Sequence, residues 1–437
     1  MTDSDQFSAE RLAKEFENAL IRHVIRPWFP RSIDREFGGF LCDFDRSWNP
    51  CGPNEKLLEF QARQTWFAAE ASQFFSENEH LRDAVKQGFA YLRGALWDEV
   101  SGGWFHRLDR AGKPIEHYTK HAHGIAYAIS ACVAVHEATC DQAALQLARE
   151  GFEWLDHHAH DDEHGGYFGH LHRDGTVFGE DGKDRRVQKD SLGTPAVCKD
   201  INVHSDLLES LTYLYRAWPE RRVAQRLAEV VDIVCNRMTS PLGAHFHYCL
   251  ANWTPVPHLT RFGYQLQSSF RLIAAARLLG DHEEALLSAK RLADHALRFG
   301  WDYERGGFYY AGPGLDPDQL EGHSLVVRKK LWWVQVEALK ALLAIHLIAP
   351  DERRYLESFK AQWCYIQERL IDPAFDGFYW ASLEDLTWWR PRAAFVSLTR
   401  KGSDWKDCSH EGRVFLYCMS VLQDWKLVHS QAYQPTP

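Results

Sequence analysis

At 437 residues and a formal net charge of −10, the chain lacks the clustered Lys and Arg that general binding to a nucleic-acid backbone requires. No run approaches the about 20 apolar residues of a membrane-spanning helix, and the polar, acidic first dozen residues do not read as a secretory leader. The ten cysteines are scattered without CxxC pairs, the pattern expected of reduced thiols in a cytoplasmic protein.

In chain order, a glycine followed by large aromatics recurs at Gly39-Phe40, Gly103-Trp104-Phe105, Gly166-Tyr167-Phe168, Gly243, Gly307-Phe308-Tyr309 and Gly377-Phe378-Tyr379-Trp380, with Gly243 the degenerate copy. A glycine at a sharp turn, packed by the aromatics that follow, marks the same corner of a repeated unit. Between corners the pattern is helical, most clearly over 59–75, 202–218, 264–279 and 329–348. About two helices fit in each interval. Six helix pairs in a strand-poor chain predict an all-α, closed (α/α)6 barrel with inner helices around a lumen, the expected site. The repeat runs from about residue 38 to 380 without a linker, so 1–437 reads as one barrel domain with a polar start and a short tail at about 430–437.

The 17 tryptophans and 16 tyrosines suit pyranose faces as well as helix packing. One apolar helix carries Trp332, Trp333, Gln335 and Glu337 within about two turns, where polar groups need partners or a wet cavity. There Trp332-Trp333-Val334-Gln335 with Glu337-Ala338-Leu339 resembles the signature of the N-acylglucosamine 2-epimerase family, which includes cellobiose 2-epimerases and mannose or sulfoquinovose isomerases. Gln61-Ala62-Arg63 with Trp66 resembles its Q-A-R-x-x-W element. The stretch from Asp200 to Ser210 is similar to its N-x-N/H-x-H-L-L-E-A helix, and Trp405-Lys406 with His410 and Arg413 to its W-K-x-x-x-H-x-x-R element.

The resemblance implies chemistry at C1 and C2 of a reducing sugar, through ring opening and an enediolate. Such a reaction needs a base for a weakly acidic C–H and a cation or donor for the oxyanion. His410 fits the first need and Arg63 the second. Trp66 and Trp405 are expected as sugar-stacking walls, and Asn202, His204, Gln267, Trp332, Gln335 and Glu337 as substrate contacts. The family's second catalytic pair, a His and a Glu three residues later, is here Tyr264 and Gln267, and Asp206 stands where histidine is common. Asn202, Asp206, Glu209 and Tyr213 form one polar stripe, which reads either as a solvated face or as lumen wall with Asp206 at the sugar. One retained base favours aldose-ketose isomerisation over epimerisation, which most simply uses two.

Two rivals keep the pocket: a glycoside hydrolase of the same barrel class with Asp206 as acid/base, and a sugar-binding protein without turnover. No cofactor is called for, because the glycine-rich corners lack the strand and helix context of a phosphate loop. No metal is assigned: His121 with His123 and His245 with His247 are weak i, i+2 pairs, and the histidine-rich tract at 156–164 reads as a polar loop. Oligomeric state is not legible.

Overall fold

A computed structural model describes residues 3–115, 119–178, 189, 193–195, 198–280, 282–313, 326–384 and 396–425; the expected tail at about 430–437 lies outside them. Twelve long helices occur among the described residues: α1 (Asp3–Leu20), α2 (Leu58–Phe74), α3 (Glu79–Arg93), α4 (Ala122–Thr139), α5 (Gln142–His158), α6 (Ile201–Ala217), α7 (Arg221–Asp232), α8 (Phe262–Leu278), α9 (Glu283–Gly300), α10 (Trp332–Ile348), α11 (Arg354–Arg369) and α12 (Ser409–Gln423). Even-numbered helices form an inner ring and odd-numbered ones an outer ring. The ring closes where α1 packs on α12 and α12 on α2, giving the (α/α)6 barrel.

Patterning explains which helix goes where. In α7 only Val223, Leu227, Val230 and Val231 are buried, a single apolar stripe laid on the inner ring. α10 is buried almost all round, polar Gln335 and Glu337 included, so its polar groups must be satisfied inside. The expected helix bounds hold to within two residues except before α10, where Leu331 is extended and bridges Ala381.

Short strands lead into the inner helices and stitch neighbouring pairs. β1 (Lys56–Leu57) pairs with β2 (Arg107–Leu108), β3 (Lys120–His121) with β4 (His170–Leu171), and β5 (Cys198–Asp200) with β6 (Tyr248–Leu250), which also takes β7 (Pro255–Val256). β8 (Thr260–Arg261) pairs with β9 (Ala311–Gly312). These ladders hold the inner-helix N-termini at one end of the barrel.

Five of the six glycine corners share one construction. Asp34 N–H donates to Gly39 O, and the same bond recurs from Asp98 to Gly103, Asp161 to Gly166, Asp302 to Gly307 and Asp372 to Gly377. Gly39 and Gly307 have positive φ, and a Cβ there would lie 2.5 Å and 3.0 Å from the amide oxygens of Gln61 and Gln335, which is why glycine is required. Each of these five aspartates holds a buried lysine: Lys56 to Asp34 at 2.8 Å, Lys120 to Asp98 at 3.1 Å, Lys199 to Asp161 at 2.6 Å, Lys330 to Asp302 at 2.8 Å and Lys401 to Asp372 at 2.8 Å. At the Gly243 corner Ser240 replaces the acid and Thr260 the lysine. Both charges are lost together, as removal of a buried pair without an orphan requires.

Lys199→Thr alone strands Asp161 and is expected to cost about 3–5 kcal/mol. Adding Asp161→Ser, which reproduces the Gly243 corner, recovers part of that loss; urea unfolding of the three proteins measures both changes.

Candidate active site

Helix register decides what faces the lumen. Counting from the first residue of each of α2, α4, α6, α8 and α10, the second and sixth positions are Glu59 and Arg63, His123 and Tyr127, Asn202 and Asp206, Gly263 and Gln267, and Trp333 and Glu337. Residues four apart share a face, so these pairs stack down the lumen, and His410 is the second residue of α12. Of these, His123, Asn202, Trp333 and His410, together with the deeper Arg63, Tyr127 and Gln267, open onto a cavity of about 270 Å³ at the inner-helix N-termini, small enough to suit a single sugar ring. A groove of about 790 Å³ lies at the opposite end, between α3 and the C-terminal end of α4, but it gathers no base with an oxyanion partner.

His410 is the one histidine of the cavity with a ring nitrogen to spare. Glu337 Oε1 lies 2.6 Å from its Nδ1, which assigns the proton there and turns the Nε2 lone pair toward the cavity. Burial works against the Glu337 charge, but the His410 hydrogen bond and the nearby Arg413 and Arg271 charges hold its carboxyl below the usual range. Trp332 meets the imidazole edge-on at 6.0 Å and is itself held by a 3.1 Å bond from its indole N–H to Glu411; Trp333 lies over the imidazole at 5.8 Å.

Arg63 faces His410's cavity from α2. Its guanidinium lies 4.0 Å over the Tyr127 ring and only 3.6 Å from Asp407, with Nε unbonded; that loose pairing leaves donor capacity for a ligand. Asn202 and Gln267 line the cavity with no side-chain hydrogen bond among the described residues. Tyr264 is stacked on His247 at 5.6 Å and 8°, and Arg261 donates to its hydroxyl at 3.3 Å. Burial raises the Tyr264 phenol against the pull of Arg261, so at neutral pH it is a donor and not a base.

Behind the cavity lies a layer of paired charges. His123 is gripped from both sides, Nδ1 by Glu59 at 3.1 Å and Nε2 by Asp206 at 2.8 Å. Burial disfavours its charge, but Asp206 and Glu59 overcome that and raise the imidazole from 6.5 to about 9. Asp206 also accepts from Tyr127 at 2.9 Å and pairs with Arg271 at 2.7 Å, and Glu209 bridges Arg271 and Arg413.

Several sequence expectations are corrected by this layering. Asp206 does not line the cavity: burial alone would raise it, but Arg271, His123 and Arg63 keep it ionised, so it cannot donate a proton as a hydrolytic acid. Of the two readings left open for the polar stripe of α6, the structure gives the interior one, with Tyr213 bonded to Glu70. Gln335 contacts no ligand space, because both ends of its amide bond the Phe308 backbone at 2.7 Å. His204 likewise accepts from Tyr167 N–H at 3.1 Å. Trp66 is fully buried under the Arg413 guanidinium at 3.7 Å and bonds Glu70, below the sugar's reach. Glu337 does not line the cavity and bonds His410 instead. In the 156–164 tract, α5 continues through His158, and His160 pairs with Glu229 in the turn that follows; among the described residues no cluster of three or more His, Cys, Asp or Glu is arranged to hold a metal. No helix among them is long and apolar enough to cross a membrane.

His123, Tyr127, Arg261, Tyr310 and Trp380 line the cavity without having been singled out as contacts. The signal for the first two was present: both follow Lys120 at the offsets at which Asn202 and Asp206 follow Lys199.

A profile of the N-acylglucosamine 2-epimerase family matches residues 38–144 and 190–387. The chain belongs to this family. It is 25% identical over 423 residues to a cellobiose 2-epimerase of Bacteroides fragilis, covering 94% of this chain and 99% of the relative. A D-mannose isomerase of Marinomonas mediterranea is 25% identical over 379 residues, 84% of this chain and 89% of that one. The structure of cellobiose 2-epimerase from Spirochaeta thermophila superposes with a TM-score of 0.81 at 24% identity, over 96% of this chain and 98% of that chain. This N-acylglucosamine 2-epimerase family member is thus an enzyme of the sugar epimerase and isomerase class, acting on a small-molecule sugar.

The raised His123 imidazole sets a pH window: its contribution is complete below about pH 6.5 and is lost as pH rises through about 9. The destabilisation of His123→Gln relative to the parent is therefore largest near neutrality and shrinks in alkali, read as the difference in thermal midpoints across a pH series.

Proposed function

We propose that this single barrel domain is an aldose-ketose isomerase that moves one proton between C2 and C1 of an open-chain hexose with His410 as its only base. The carrying observation is that the cavity holds one oriented histidine with a free ring nitrogen, while α8 presents the neutral donors Tyr264 and Gln267.

His410 Nε2 takes the C2 proton of the aldose; the electron pair forms the C1–C2 enediolate as the C1 oxygen gains negative charge. Arg63 donates to that oxygen and Tyr264 is placed to donate to the sugar. The O2 proton passes to O1, C2 becomes the carbonyl, and His410 returns its proton to C1, so no atom is gained or lost. Glu337 keeps Nδ1–H in place and stabilises the imidazolium between the two transfers, as the buried acid of a hydrolase triad does. Trp405, on the cavity wall, supplies the stacking face.

The relative named D-mannose isomerase supports this reading, and the relatives named cellobiose 2-epimerase support the wider class. Hydrolysis is disfavoured because no protonated carboxyl reaches the cavity among the described residues.

Proton NMR in D2O with mannose, glucose, fructose, N-acetylmannosamine and cellobiose tests the assignment. A ketose with solvent or substrate deuterium at C1 is expected, without exchange between the two C2 epimers; epimerisation at a comparable rate would overturn the one-base reading. His410→Asn is expected to remove the exchange. Glu337→Gln is expected to lower kcat by about 10²–10⁴-fold with little change in KM, since it acts through the base and not on the sugar.

A further inference from the structure

The side chains lining the cavity include three cationic residues, Arg63, His123 and Arg261, and no carboxylate among the described residues. That is unexpected in a chain with ten more acidic than basic charges. Two of the three have an acid directly behind them: Asp407 for Arg63, and Glu59 with Asp206 for His123. Among the described residues Arg261 has none within 4 Å. Its polar contact is the Tyr264 hydroxyl, and its guanidinium lies 5.7 Å over the Tyr264 ring and 5.5 Å over that of Tyr310.

A guanidinium largely withdrawn from water needs an anion or it is left uncompensated. Arg261 is anchored by the pairing of β8 with β9 and immediately precedes the first turn of α8. The N-terminal end of that 17-residue helix, which has no side-chain cap, adds positive potential at the same spot. Trp333 touches both His410 and Tyr264, at 5.8 Å and 5.3 Å, so the base and the Arg261 region share one aromatic wall.

We propose that Arg261 forms an anion subsite within the sugar cavity and that the substrate is an acidic sugar carrying one negative charge away from its reacting carbons, of the hexuronate class. This rests on the sugar-isomerase reading for the chemistry, in which the carboxylate takes no part. One cation without an acid among the described residues balances one carboxylate, whereas a phosphate monoester brings about −1.5 to −2 charges. The planar guanidinium fork also suits two-point binding of a carboxylate.

The test compares D-mannuronate and D-glucuronate with D-mannose, D-glucose and their 6-phosphates, on the parent, Arg261→Met and Arg261→Lys. Calorimetry gives affinity, and NMR in D2O gives exchange. Uronates are expected to bind at least about tenfold more tightly than the neutral hexoses, more weakly as salt rises, with the acid-to-neutral ratio falling at least tenfold in Arg261→Met and less in Arg261→Lys. Neutral hexoses binding as well as uronates, an equal loss for both in Arg261→Met, or a preference for the phosphates would each overturn the proposal. Tight, Arg261-dependent uronate binding with no exchange of any sugar would uphold the subsite and sink the isomerase reading; exchange confined to neutral sugars would do the reverse.

Discussion

The barrel depends on a buried ion pair repeated around its rim. Each aspartate at a glycine corner bonds the loop that turns from outer helix to inner helix, and the lysine it holds lies in the strand or loop leading to the next inner helix. One interaction thereby fixes the corner, the strand register and the start of the helix whose second residue faces the cavity. Lys56, for example, reaches Asp34 and the carbonyls of Gly38 and Phe40 at once. With the cation and the carboxylate both withdrawn from water, loss of either partner is costly while loss of both is nearly neutral. The Ser240 and Thr260 corner shows the second case within the same molecule.

The same logic of matched charge organises the interior. Arg271, Arg413, Glu209, Asp206, His123 and Glu59 form a nearly continuous electrostatic plug beneath the cavity. It keeps the carboxylates ionised and turned away from the sugar, so that groups able to stabilise an oxyanion face it instead. An acid catalyst would need the opposite arrangement, a carboxyl desolvated without a cation beside it. Six inner-helix N-termini converging on one cavity add positive potential of the same sign, in keeping with a reaction whose costly intermediate is an anion.

Much of this was legible in the sequence because repetition made it so. The glycine-aromatic corners gave the number of helix pairs, and the matched elements led to His410, Arg63, Asn202, Tyr264, Gln267, Trp332 and Trp405, all of which reach the cavity. What failed was depth and direction along a helix. Gln335 and Glu337 are two residues apart, yet one caps a glycine corner and the other backs the base; His204 and Asp206 divide in the same way. Residue type does not separate these fates, since amides and imidazoles satisfy backbone as readily as they bind sugars. Register would have separated them: the fourth residue of α2, α6 and α10 serves the corner, and the second and sixth turn inward. Arg261 escaped notice for another reason. It is set by a strand pairing that no helical periodicity reveals.

The corner without an ion pair is the one that leads into α8. That helix follows Arg261 and carries Tyr264 and Gln267 of the cavity wall. Its approach is held by neutral bonds such as Gln265 to Thr260, 3.0 Å, where its neighbours have a charged clamp. Local opening has its lowest barrier where such ties are weakest. The stretch of wall that carries Tyr264 and Gln267 is thus also the part least committed to the frame, so one side of the cavity could be rebuilt without reworking the ring that carries His410.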